Sequence, residues 1–426
     1  VLSDAIAMCE LLVGLPDVNV LDVTEADTHL RVMIETRGPR PSCLTCGSAV
    51  RVKDRDIVEL VDLPCFGRPA VLAWRKIRWT CPAGCGSFTE QAPAIAAARL
   101  KLSDRAGRWA TVQVGRHGRS VSEVAADLGC GWHPVMDAVV AYGQALVDDP
   151  ARFGDVSALG LDETLRCRLG EWRRQQWTTQ IVDVQAGQLL DVVAGRTAAG
   201  PISWLQDQPA EWREQVKWAT LDLSGPYRKV FDVMLPDAVQ VADPFHLVRL
   251  ANTKLDECRR RVQNETVGHR GRKDDPLYRA RRLLTKAHER LDDRGTDKLV
   301  GLLNAGDPRG EVRMTWHAKE TIRSIYAIGD HDTACEFVDQ LIDDLADRSM
   351  PVEVRSLGRT IARWRDQIVA WHHARVSNGP TEAVNNLVKR VKRAAFGITN
   401  FRNYRIRALL YAGKPNWPLL ATITPR

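Results

Sequence analysis

The stretch Ser157-Ala158-Leu159-Gly160-Leu161-Asp162 is a short apolar run that stops on a carboxylate. It reads as a buried strand, and the text after it sets the fold. Residues 176–184 and 188–193 read as two further strands, separated by a turn at Ala186-Gly187. A helix is expected over 203–214, a strand over 216–222, a helix over 227–235 and a strand over 238–243. Three strands in succession, then helix–strand alternation, imply a mixed sheet with helical covers. From about 246 to 372 the text is nearly all helical, rich in Arg, Leu and Ala, with a Gly/Asp/Arg-rich break at 264–275.

Two of these expected strands end on acidic residues, Asp162 and Asp222. A carboxylate at the end of a buried strand costs desolvation energy unless it is paired or holds a cation. The plainer alternative is a turn or cap residue. A third carboxylate has the strongest context. Asn378-Gly379-Pro380 signals a helix start. On that helix Glu382 shares a face with Asn385, Asn386, Lys389 and Arg393, while Val384, Leu387, Val388, Val391 and Ala395 form the opposite, core-facing stripe. Two strand-end carboxylates and one from a helix are what a two-metal phosphodiester site requires. Its ions, Mg²⁺ or Mn²⁺, sit about 3.5–4 Å apart and stabilise the attacking and leaving oxygens. Asp243-Pro244-Phe245-His246 adds an acid–imidazole pair at a strand–helix junction, able to orient a ligand, act on a proton or cap the helix.

Ahead of this region, residues 17–90 carry period-2 stretches such as Val71-Leu72-Ala73-Trp74 and Lys76-Ile77-Arg78-Trp79. Set among them are Cys43-Leu44-Thr45-Cys46 and Cys81-Pro82-Ala83-Gly84-Cys85. Each pair delivers two thiolates to one side, so Cys43, Cys46, Cys81 and Cys85 are expected to hold one structural Zn²⁺ with no position open to water. The other six cysteines are scattered singly, which is no disulfide framework and fits a reducing cytoplasm. Between about 97 and 147 the pattern is helical. Ser120-Val121-Ser122-Glu123 is a capping-box signal, Gly129 stops the first helix, and a second starts near Trp132-His133-Pro134. Two short helices about a Gly turn match a helix-turn-helix, whose second helix can enter a major groove.

The net charge of +7 is unevenly spread. No acidic residue follows Glu382, while Lys389, Arg390, Lys392, Arg393, Arg402, Arg405, Arg407, Lys414 and Arg426 do, so the chain before them is close to neutral. An excess concentrated in one segment points at a polyanion such as DNA, the alternative being a solvated basic tail. With 426 residues, 44% of them hydrophobic, the chain can bury several cores. It has no apolar run long enough for a membrane span. The opening residues 1–13 have no basic flank and carry Asp4 and Glu10, unlike a signal peptide.

These motifs together resemble the bacterial insertion-sequence DDE transposases of the ISL-three type. The resemblance rests on the two cysteine pairs, Leu159-Gly160-Leu161-Asp162-Glu163, Asp222-Leu223-Ser224-Gly225-Pro226-Tyr227, Ala242-Asp243-Pro244-Phe245-His246, and above all Ser377-Asn378-Gly379-Pro380-Thr381-Glu382-Ala383-Val384-Asn385 running on to Phe396-Gly397. It implies a multidomain α+β chain: a zinc ribbon over 1–95, a helix-turn-helix over 96–150, and an RNase H-like core over 151–250 and 373–426, interrupted by an all-helical insertion over 251–372. It implies Asp162, Asp222 and Glu382 as Mg²⁺ ligands, with Asp243 the alternative to Asp222, and Asp243 and His246 as a D-x2-H signature. Members often carry Arg where this chain has Pro244. Lys389, Arg390, Lys392, Arg393 and Arg402 are expected on DNA. Trp371 could stack on bases, the other reading being core packing. The implied partners are double-stranded DNA (terminal inverted repeats and target) and further copies of the chain in a dimer or larger synaptic complex. The implied activity is strand cleavage and strand transfer. The rival reading is a sequence-specific DNA-binding regulator with an inactive core.

Overall fold

A computed structural model describes residues 5–425; Asp4 and Arg426, weighed above, lie outside the described residues. The chain forms two mixed five-stranded sheets with many helices between and around them.

The first sheet comprises β1 (Val18–Glu25), β2 (Leu30–Thr36), β3 (Arg51–Cys65), β4 (Arg68–Thr80) and β5 (Ser87–Thr89), in the order β1-β2-β4-β3 with β5 on the end of β4. The long β3–β4 hairpin is antiparallel, whereas β2 and β4 run parallel. A small core of Val18, Val20, Ile34, Leu60, Leu72, Trp74 and Ile95 covers one side. Asp62, buried on β3, accepts from Ser103 Oγ at 2.6 Å and Arg105 Nε at 2.8 Å, which ties this sheet to the next helix.

That helix, Asp104–Thr111, continues through one π-helical turn, Val112–Arg116, which the sequence reading did not foresee. Next come the helices Val121–Leu128 and Trp132–Val147. Both bonds of the Ser120/Glu123 capping box are made, and Gly129 ends the first helix at φ 66°, a conformation cheap only without a side chain.

The second sheet holds β6 (Ala158–Leu169), β7 (Arg174–Asp183), β8 (Gln188–Ala194), β9 (Trp218–Leu221) and β10 (Val239–Ala242), in the order β10-β9-β6-β7-β8. Strands β6, β7 and β8 form an antiparallel meander, and β9 and β10 add in parallel beside β6. The helix expected over 203–214 is two short ones, Ala199–Gln206 and Ala210–Glu214, with Pro209 between them. A proline inside a helix clashes with the preceding turn, so the break is local chemistry.

Each face of this sheet packs on a different core. Leu159, Leu161, Ile181, Leu190, Ala219 and Leu221 join residues of the helical region, including Ile322, Val338, Leu341, Leu357 and Ile368. On the other face Val182, Leu189 and Val192 join Val124, Leu128, Val139 and Tyr142 of the helix pair and Val384, Val388 and Val391 of the helix Gly379–Ala394. The helical region therefore shares its core with the sheet; only Leu255, Val262, Leu277, Leu299, Leu303, Trp316 and their neighbours form a separate cluster. The boundary expected at residue 250 falls inside one continuous helix, Pro244–Val267.

Candidate active site

Strand register brings the acidic residues together. Gly160 of β6 pairs with Thr220 of β9, and Leu221 of β9 pairs with Ala242 of β10. Continuing the same register, Asp162 lies level with Asp222 and Asp243, which follow the last residues of β9 and β10; β6 itself does not end on Asp162 as expected but runs on to Leu169, paired with β7 alone. The crevice at such ends is where open α/β sheets bind ligands.

The helix Gly379–Ala394 closes over this edge, with its N-cap on β9 and the residue after β10, and its first two turns on β6. Asn378 accepts from Thr220 Oγ1 at 3.1 Å and donates its backbone N–H to Asp243 Oδ1 at 3.1 Å. Thr381 lies against Gly160, where a Cβ would come within 2.2 Å of Thr381 Oγ1. One turn on, Asn385 Nδ2 donates to Asp162 Oδ2 at 2.5 Å. Positions 378, 381 and 385 follow the i, i+3, i+7 stripe of one helix face. Glu382, next to that stripe, is left on the cleft. Val384, Val388 and Val391 are buried as expected, but Leu387 is 39% exposed and lies off the core stripe.

An open cleft of about 520 Å³ results, lined by Asp162, Glu163, Trp177, Asp222, Phe245, His246, Arg249, Glu382, Asn385, Asn386 and Lys389. Carboxylate oxygens of Asp162, Glu163 and Asp222 all lie within 4.8 Å of one another. Glu382 faces them with one oxygen 3.8 Å from His246 Nε2. Glu163 was not among the residues singled out from the sequence. Neighbours on a strand point to opposite faces, which argues against pairing it with Asp162. Yet β9 ends at Leu221, one residue before Asp222, and the Glu163 carboxylate comes within 4.8 Å of those of Asp162 and Asp222. Its signal was the Asp162-Glu163 doublet itself.

The electrostatics of the cleft fit a cation site. Burial raises the Asp162 carboxyl above the ordinary range, against a hydrogen bond from the Glu163 backbone that lowers it. Burial, then the charges of Asp162 and Glu163, push Asp222 up to about 6. Asp222 Oδ1 is moreover buried with no hydrogen-bond partner. Crowded carboxylates with an orphaned oxygen suit hard divalent ions such as Mg²⁺ or Mn²⁺. Asp243 differs. Its two oxygens are taken by the Asn378 N–H and by His246 Nδ1, 3.1 Å each. In return its hydrogen bond raises the His246 pKa above the ordinary value.

The other expected site residues separate into two groups. Lys389, Arg390, Arg393 and Arg402 are exposed, whereas Lys392 is half-buried and donates Nζ to the Leu165 carbonyl at 2.7 Å. Arg405 grips Asp191 through two bonds of 2.7 and 2.8 Å, and Arg407 is buried, so three charges of the basic segment serve the interior. Trp371 packs edge-on against Tyr326 at 5.2 Å, with the Arg375 guanidinium 4.5 Å from its ring centre.

Far along the chain, the Sγ atoms of Cys43, Cys46, Cys81 and Cys85 lie within 4.8 Å of one another. Each pair sits on a tight turn: Cys43 N–H donates to the Ser48 carbonyl at 2.8 Å and Cys81 N–H to the Gly86 carbonyl at 3.0 Å. Bonds from Ser48 lower the Cys46 thiol to about 6, while Cys46 and Cys81 push Cys85 up to about 12. Four sulfurs gathered this way form a set that fits one tetrahedral Zn²⁺. Among the described residues no helix is long and apolar enough to cross a membrane.

A family model described as Transposase matches residues 159–408, the span from β6 to the last long helix. The transposase for insertion sequence element IS1557 of Mycobacterium tuberculosis is 28% identical over 266 residues, 58% of this chain and 58% of that protein's length. The transposase for insertion sequence element IS1001 of Bordetella parapertussis is 23% identical over 368 residues, covering 83% of this chain and 84% of that protein. With the matched span holding all four carboxylates of the cleft, the chain belongs to the ISL-three-type DDE transposase family.

Proposed function

We propose that this chain binds the terminal inverted repeats of an insertion sequence, cleaves a DNA strand there and joins the freed 3′ end to target DNA. The observation that carries this reading is the gathering of Asp162, Glu163 and Asp222 within 4.8 Å at one sheet edge, with Glu382 opposite. Divalent ions, two Mg²⁺ or Mn²⁺, would supply charge stabilisation for both oxygens of the in-line displacement. Asp162 and Asp222 are their ligands from the sheet and Glu382 from the helix, with Glu163 beside them. Asn385 holds one oxygen of Asp162 and so fixes which lone pairs face the cleft. Asp243 holds the His246 ring by Nδ1 and so turns its Nε2 toward Glu382, which places that carboxylate. A meander followed by two parallel strands, in the order β10-β9-β6-β7-β8, supports an RNase H-like core.

Recognition falls to other parts. The helix pair Val121–Leu128 and Trp132–Val147 serves as the helix-turn-helix, and the cysteine cluster holds one structural Zn²⁺. Exposed Lys389, Arg390, Arg393 and Arg402 contact DNA phosphates. Acting on two element ends calls for two or more copies of the chain.

A Mg²⁺-dependent nicking assay on a labelled duplex of the element end tests the reading. Asp162→Ala, Asp222→Ala and Glu382→Gln each abolish cleavage while end binding survives. Specific binding by the unaltered protein, with no cleavage in Mg²⁺ or Mn²⁺, would instead identify a regulator with an inactive core.

A further inference from the structure

Phe396 stands just past the end of the helix that carries Glu382, and it is 97% exposed, the most exposed large apolar side chain among the described residues. Its backbone is left-handed at φ 51°, and Gly397 follows at φ 105°. An apolar ring in water and a strained backbone are two separate costs on one residue, and such strain collects at functional sites. Asn400 then restarts the chain by capping Phe401–Ala412, accepting from the Asn403 N–H at 3.1 Å.

The surroundings identify the partner. Arg393 and Arg402, exposed on either side in sequence, are cationic, and no acidic residue occurs between Glu382 and the end of the sequence. Phe396 also borders a cleft whose other wall includes Ser122 and Trp132, at the starts of the first and second helices of the pair. The Trp132 ring is itself 40% exposed there. A flat apolar ring between cations fits a polyanion with a stacked apolar interior, which is duplex DNA. Aromatic side chains inserted between base steps unstack them, and phosphate contacts hold the duplex in place.

We infer that Phe396 inserts into the base stack of the bound DNA end and distorts it at a fixed distance from the cut. Twelve helical steps carry the chain from Glu382 to the helix end at Ala394, about 18 Å at 1.5 Å per residue, and Phe396 stands two residues beyond. At 3.4 Å per base pair this is roughly six base pairs. The inference rests on the reading of this chain as a DNA-end-processing protein.

The test uses the full-length protein, Ca²⁺ in place of Mg²⁺ to prevent cleavage, and a set of duplexes of the element end. Each carries 2-aminopurine at one of the first ten positions from the cut. Anisotropy of the same duplexes, end-labelled, reports binding separately. The unaltered protein should raise 2-aminopurine fluorescence severalfold at one position, about five to seven pairs in. Phe396→Ala should lose that rise and bind roughly tenfold more weakly, with an unchanged melting temperature. Phe396→Trp should keep both. Tight binding with no position brightened, or equal brightening by Phe396→Ala, overturns the inference and leaves the DNA reading standing. Equal brightening together with a loss of dimers in Phe396→Ala assigns the ring to a protein contact instead. Absence of any binding by the unaltered protein removes the proposed function as well.

Discussion

Asn385 donates to Asp162 at 2.5 Å across 223 positions of sequence, and this bond fixes the helix that bears Glu382 against the strand that bears the first carboxylate. The Asn385 side chain is 1% exposed, and its Oδ1 has no partner. A buried amide oxygen left unpaired beside carboxylates is costly unless the loaded site uses it. Asn385→Ala should therefore lower the cleavage rate about a hundredfold, as small misplacements of reacting groups do. The end-binding constant should stay unchanged. A parallel loss of DNA binding would show that Asn385 supports the DNA surface and not the reacting centre.

Glu163 is expected to strengthen cation binding. Titration of Mn²⁺ followed by its electron paramagnetic signal should give a several-fold weaker affinity for Glu163→Gln, and a larger loss for Asp222→Asn. An affinity equal to that of the unaltered protein removes Glu163 from the ligand set.

The raised pKa of Asp222 makes a statement about stability. A carboxyl whose folded pKa is about 6, above its ordinary value, favours the folded state when protonated. Its contribution is fully present below the unfolded pKa and is lost as pH rises through about 6. The metal-free protein should thus melt lower at pH 7.5 than at pH 5.5 on account of this group. Asp222→Asn should raise the melting temperature at pH 7.5 and flatten that slope while abolishing cleavage. Mg²⁺ should stabilise the unaltered protein at pH 7.5 and the variant much less. A lower melting temperature for the metal-free variant would contradict the assignment.

Gly160 has no room for a methyl group: a Cβ would lie 2.2 Å from Thr381 Oγ1 and 2.9 Å from Val184 Cγ2. Gly160→Ala should cost about 1–3 kcal/mol, the usual range for overpacking, and should push the Glu382 helix off the sheet. Denaturant melts of Gly160→Ala, Thr381→Ala and the double variant check this. The double variant should recover part of the loss, whereas additive losses would mean that the helix does not rest on Gly160.

Basic residues of the same segment should divide in experiment. Lys389→Ala or Arg393→Ala should keep the melting temperature and reduce the slope of log affinity against log salt by about 1 each. Arg405→Ala should destabilise by as much as about 3 kcal/mol, because the buried Asp191 loses its main cationic partner. Salt titrations and melts of the three variants distinguish the two behaviours.

Much of this was legible in the linear text. The apolar run up to Asp162, the Gly129 stop, the Ser120 capping box and the paired cysteines are local signals, each carried by a few neighbouring residues, and the structure contains each feature. Glu382 was legible too, since the helix start signalled by Asn378-Gly379-Pro380 fixes which face it shares. Local chemistry decides such features because caps, turns and periodicities act within one or two turns of chain.

Contacts between distant segments were decided only by the tertiary structure. Sequence offered the Asp243–His246 pair but could not say that Asp243 is also spent on the Asn378 N–H, that Glu163 joins Asp162 and Asp222, or that Lys392 and Arg405 face inward. Each depends on strand register and on where β9 stops, which are set by packing across the sheet. A carboxylate looks the same in sequence whether it holds a cation or an amide; only its neighbours in space, brought there by the burial of both sheet faces, tell them apart.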